Sequence, residues 1–95
     1  MNIFEWLQNW YTCNCDGEWE HWERIKISTI DNPGWSVFIG IYETPLENKP
    51  FSEIRIDNGN DDWIFCSVEE YKFHGVGDST KLMDILKIFK EWVES

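Results

Sequence analysis

Three kinds of side chain in this sequence carry reactive chemistry, and their spacing decides what each can do. Cys13 and Cys15 bracket a single residue, His21 follows six positions later, and Cys66 lies far downstream. Thiolates and an imidazole are zinc ligands, yet structural zinc sites separate paired cysteines by two to four residues, which Cys-x-Cys does not. Cys66 alternates within a strand-like run, where a free cysteine acts as a small hydrophobe. His21 adjoins Glu20, with Asp31 ten residues on, and the three are the ingredients of an acid–base set. No nucleophile motif such as Gly-x-Ser-x-Gly accompanies them, and His74 stands alone. Glu18 and Glu20 have the form of a glycosidase carboxylate pair, but 18 acidic residues make such pairs unavoidable. Asp57-Asn58-Gly59-Asn60-Asp61-Asp62 is rich in oxygen ligands without the spacing or terminal Glu of an EF-hand. Gly75-Val76-Gly77 lacks the spacing of a phosphate loop. These patterns lead us to expect no catalytic, cofactor or metal site. The alternative is a small metal-dependent or acid–base enzyme built on Glu20, His21 and Asp31.

The periodicity of apolar residues outlines the elements that must position these groups. Over residues 2–12, Ile3, Trp6, Leu7, Trp10 and Tyr11 recur at helical spacing, with Asn2 as N-cap and Glu5 completing a capping box. Asp16-Gly17 turns the chain. From 22 to 30 the period falls to two, Ile25 and Ile27 alternating with Lys26 and Ser28. Pro33-Gly34 specifies a type II turn, whose twist does not suit a two-residue hairpin, so a loop of three to five residues is expected. A second strand over 35–43 places Trp35, Val37, Ile39 and Ile41 on one face and Ser36, Phe38, Gly40 and Tyr42 on the other. Residues 44–50 read as a loop. A third strand covers 51–57 with Ile54 and Ile56 inward, and Asn58-Gly59 marks a hairpin. The fourth, 63–69, sets Ile64, Cys66 and Val68 against Trp63, Phe65 and Ser67. A short fifth strand over 71–74 ends at Gly75-Val76-Gly77.

A closing helix over 79–94, capped by Asp78 or Ser79, aligns Leu82, Ile85, Leu86, Phe89, Trp92 and Val93. The sum is an α+β domain: an antiparallel four- to five-stranded meander sheet flanked by an N-terminal and a C-terminal helix. The Ile/Val face is the core, joined by Trp6, Trp10, Phe89 and Trp92. The second face carries Phe38, Tyr42, Arg55, Trp63 and Phe65, too aromatic for a solvated surface. Cover by a helix or loop is the expectation there, and a partner is the alternative.

Ninety-five residues make one domain, 1–95. A net charge of −10 argues against nucleic acid and against an anionic membrane surface, and suits a basic protein partner. No apolar run approaches the length of a membrane span and no signal segment is visible. Three cysteines, an odd count, fit reduced thiols, so a cytoplasmic location is expected.

Three stretches carry a family resemblance: Trp6-Leu7-Gln8-Asn9-Trp10-Tyr11, Cys15-Asp16-Gly17-Glu18-Trp19-Glu20-His21, and Thr29-Ile30-Asp31-Asn32-Pro33-Gly34-Trp35. Lys49-Pro50-Phe51, Asp62-Trp63-Ile64 and the acidic C-terminal helix add to it. Together they resemble the immunity protein 53 family of bacterial polymorphic toxin systems over nearly the whole chain. Arg24, where that pattern has a glycine, and the paired Cys13 depart from it. The resemblance implies a non-enzymatic protein, made in the toxin-producing cell, that binds and neutralises a cognate toxin domain. A basic toxin such as a nuclease would meet carboxylates in place of phosphates.

No residue-level contact map comes with the resemblance. The contact candidates are read from the residues themselves: Trp19, Glu20, His21, Phe38, Tyr42, Asp61, Asp62, Trp63 and Phe65. Trp19-Glu20-His21 has two readings, a lock between helix and sheet or a partner contact, and the lock is the expectation. The chain is expected to be a monomer, or a homodimer joined through Phe38, Trp63 and Phe65.

Overall fold

The computed structural model describes residues 1–95. Helix α1 spans Ile3–Asn14. The Asn2 side chain accepts from the Glu5 amide at 2.9 Å, and the Glu5 carboxylate accepts from the Asn2 amide, closing the expected capping box. A single helical turn, α2 (Trp19–Trp22), follows, and its last residue lies where alternation suggested the start of a strand. The cause lies upstream. The Asp16 carboxylate accepts from the amides of Glu18 and Trp19, both at 2.9 Å, and this commits the chain to a helical turn. The strands are β1 (Ile25–Ile30), β2 (Gly34–Gly40), β3 (Ile54–Asp57), β4 (Trp63–Glu69) and β5 (Lys72–Asp78), and α3 (Leu82–Glu94) closes the chain.

The five strands form one antiparallel sheet in the order β1-β2-β5-β4-β3. The architecture is the α+β arrangement that the sequence pattern indicates, and consecutive pairing holds within β1–β2 and within β3–β4–β5. Between β2 and β3 the chain leaves the sheet, and β5 takes the place beside β2, pairing Val37 with Gly75 and Ile39 with Phe73. Both long helices pack on the same face. Ile3 and Leu7 of α1, and Ile85, Leu86, Phe89 and Trp92 of α3, enclose Val37, Ile39, Ile64, Cys66 and Phe73. Phe89 sits at the centre, with the rings of Trp10 at 4.9 Å and Phe73 at 5.1 Å, both crossing it steeply. Burial pushes the Cys66 thiol up to about 12, which keeps it protonated and apolar in character.

Several local expectations give way to tertiary contacts. Gly34 has no positive φ and lies inside β2, so the type II turn does not form; residues 31–33 make a three-residue loop within the expected length. Gly34 is small for another reason: a Cβ there would collide with the carbonyl oxygen of Gly77 on β5. The fifth strand does not stop at Gly75-Val76-Gly77 but runs through it as the central strand. A Cβ at Gly75 would meet Ile85 Cγ2, so the glycine admits α3 against the sheet. The β4–β5 hairpin turns on Glu70 and Tyr71, both with positive φ (50° and 62°), a two-residue turn that the sequence does not advertise. Asn58-Gly59 does mark a hairpin, but the loop runs from 58 to 62, with Gly59 at φ 115°. Ile56 is exposed on β3, a short edge strand of which Ile54 alone packs against the core.

Neither Asp78 nor Ser79 is the N-cap of α3, a position held by Lys81 without a side-chain bond. Asp78 instead ties together the turn before it. Its buried carboxylate accepts from the Trp63 amide (2.9 Å), the Thr80 amide (2.8 Å) and hydroxyl (2.6 Å), and the Lys81 ammonium (2.8 Å). The Lys81 and Thr80 donors hold the carboxyl far below the usual range.

Candidate partner-binding surface

Side chains on a strand alternate between faces, so packing both long helices on one side leaves the other side uncovered. The expected cover of the second face is absent. From edge to edge this face presents Lys26 and Ser28, Ser36 and Phe38, His74 and Val76, Phe65 and Trp63, and Arg55 and Asp57. Register sets Phe38 directly opposite His74, and their rings stack at 4.0 Å with an interplanar angle of 3°. His74 Nε2 lies 3.3 Å from the Ser36 hydroxyl. Partial burial lowers the His74 pKa, with Glu69 opposing, so the imidazole is neutral at neutral pH and extends the aromatic platform. Trp63 and Phe65 pack at 5.6 Å on the other side, with the Arg55 guanidinium 5.1 Å above the Phe65 ring. Phe38 keeps 37% of its surface exposed.

The remaining contact candidates fall in three places. Asp61 and Asp62 lie on the β3–β4 loop, beside a shallow depression lined by Asp57, Asn60, Trp63 and Phe65. Asp61 is exposed, while Asp62 pairs with Lys81 at 2.9 Å and accepts from Asn58, which lowers its pKa. Tyr42 lies just past β2, half exposed, with its ring edge-on to Tyr71 at 5.1 Å. Trp19, Glu20 and His21 divide. Trp19 is 5% exposed, donates its indole N–H to the Tyr42 carbonyl at 2.9 Å, and packs on Trp10 and Tyr11. Glu20 accepts from the amides of Asp16 (3.0 Å) and Gly17 (3.2 Å), and backbone donors lower its pKa. His21 is exposed, and its ring makes no hydrogen bond within the chain. Trp19 alone ties α2 to the end of β2, while Glu20 braces its own loop.

The ingredients of an acid–base enzyme are not assembled. Asp31 lies in the loop beyond the far end of β1 from His21, about 20 Å of strand away. Cys13 and Cys15 end α1 while Cys66 is in the core, and nowhere do three His, Cys, Asp or Glu side chains converge in a way that could hold a metal ion. No helix is long and apolar enough to cross a membrane.

Two members of the surface escape a reading of the sequence. His74 stands alone in the chain and becomes part of the platform only through the β2–β5 pairing. Trp22, on the apparent strand, instead ends α2 and is 81% exposed.

Compared with known protein families, residues 4–94 match Immunity protein 53. The chain belongs to the immunity protein 53 family. The match takes in every strand and nearly all of both flanking helices. No curated protein matches the chain, and no solved structure does. Among the residues that carry the family resemblance, Trp6, Trp10 and Trp19 build the contact between α1, α2 and the core in this immunity protein.

Proposed function

We propose that this immunity protein neutralises a cognate toxin domain by stoichiometric binding, with the uncovered sheet face as the docking surface. The observation that carries the proposal is the aromatic platform of Phe38, His74, Phe65 and Trp63, with Phe38 exposed and the other three partly exposed because both long helices pack behind the sheet. An interface core of this kind, aromatic and depleted in fixed charge, matches the anatomy of protein–protein hot spots. Asp61 and Asp62 at one end and Tyr42 at the other form the rim. The net charge of −10 raises the encounter rate with a basic toxin, a nuclease among them, and makes binding salt-dependent. The role requires no catalytic group, and its setting is the cytoplasm of the toxin-producing cell.

Co-purification with the product of the neighbouring toxin gene, scanned against ionic strength, tests this. A one-to-one complex that forms at low salt and weakens as salt rises is the expected outcome. Absence of any complex at low salt overturns it.

A further inference from the structure

The cations of this acidic chain are not distributed evenly. Of eight Lys and Arg residues, Arg55, Lys81 and Lys90 pair with carboxylates, and Lys49 donates to the main-chain oxygens of Trp92 and Ser95. Four remain without a carboxylate within ion-pair distance: Arg24, Lys26, Lys72 and Lys87. Three of those four, Arg24, Lys26 and Lys72, line one groove of about 400 Å³ at the α2 end of the open face, together with Trp22 and Phe38. With 18 carboxylates available to 8 cations, such clustering runs against the tendency of surface charges to intersperse. The nearest acids do not neutralise it. Glu23 also lines the groove, but its carboxylate accepts from the Tyr42 amide at 3.2 Å and pairs with none of the three cations, and Glu69, opposite Lys72 in the register, makes no ion pair with it.

We infer that this groove docks an acidic segment of the toxin, carboxylate side chains meeting Arg24, Lys26 and Lys72 while an apolar neighbour lies between Trp22 and Phe38. The inference rests on the toxin-binding role proposed above and sharpens it. The interface has two polarities, and the minority charge fixes the orientation in which the toxin lands. Long-range attraction to an acidic protein is nearly indifferent to orientation, whereas a local patch of opposite sign rejects misaligned encounters. Trp22 supplies a large, 81% exposed ring at the rim, a residue type enriched among interface anchors.

Isothermal titration of the catalytically disabled toxin domain with four versions of the full chain tests this: wild type, K72E, K87E and W22A. K72E and K87E each take the net charge from −10 to −12, but Lys87 lies on the exposed side of α3, away from the groove. Steering by net charge alone predicts equal or tighter binding for both. The groove predicts about a tenfold loss for K72E, a similar loss for W22A, and wild-type or tighter binding for K87E. Circular dichroism melts matching wild type confirm that the variants are folded; Trp22 and Lys72 are both exposed. K72E binding as tightly as K87E overturns the groove while leaving the toxin-binding role in place. Failure of the wild type to bind at low salt overturns both.

Discussion

Trp19 and His21 are two positions apart and do opposite things. The Trp19 indole is buried and gives its N–H to the Tyr42 carbonyl, while the His21 imidazole faces water. Trp19→Phe keeps most of the ring volume and leaves that carbonyl without its donor, for an expected loss of about 1–2 kcal/mol by urea denaturation. Glu20→Ala lowers the melting temperature by removing the acceptor for two loop amides, and His21→Ala leaves it unchanged. The sequence presents Trp19-Glu20-His21 as one unit, and the structure divides it. The sequence could not split them, because which side chain turns inward depends on the Asp16 bonds that start α2.

Asp78 is the residue whose protonation matters most. Its folded pKa is depressed, so its stabilisation is complete above the ordinary carboxylate range and is lost as the pH falls through the folded-state value. Asp16, Glu20 and Asp62 are shifted the same way. Urea midpoints measured from pH 7 downward should therefore fall below the ordinary carboxylate range. Asp78→Asn should be less stable at pH 7 and show a shallower decline.

At the level of elements, α1 and the apolar face of α3 were legible, though not the start of α3, since helical periodicity is local and the Asn2–Glu5 box lies within one turn. The fifth strand was not. A Gly-Val-Gly run is a breaker by local propensity, and only tertiary contacts explain the two glycines of the middle strand: Ile85 approaches Gly75, and the Lys81 side chain approaches Gly77. Gly75→Ala tests that account. The added methyl group meets Ile85 Cγ2, and overpacking of this kind costs about 1–3 kcal/mol, read as a lower urea midpoint with an unchanged slope. The paired change Gly75→Ala with Ile85→Leu, which removes the Cγ2 branch at similar volume, should recover part of the loss.

Across the whole molecule, the sheet's two faces were separable by parity from the sequence, and the aromatic excess of the second face was visible there. That no helix covers it was not, because the side on which a helix packs is decided by long-range pairing. The same limit hid His74 and the groove, whose cations come from residues 24, 26 and 72 and meet only through the β1–β2 and β2–β5 registers. Phe38→Ala tests the open face as a docking surface. It should weaken toxin binding about tenfold or more, while folding stability changes by about 1 kcal/mol or less, because a third of the ring already faces solvent.

The central place of β5 also sets a timetable. β2 and β4 both pair with a strand made after them, and an isolated β1–β2 hairpin is marginally stable in water. A ribosome adding about 5–20 residues per second exposes the first half of the chain for seconds before its sheet can close. A copy truncated before β5 should therefore leave β2 and β4 without their shared partner and fail to give a cooperative circular dichroism melt.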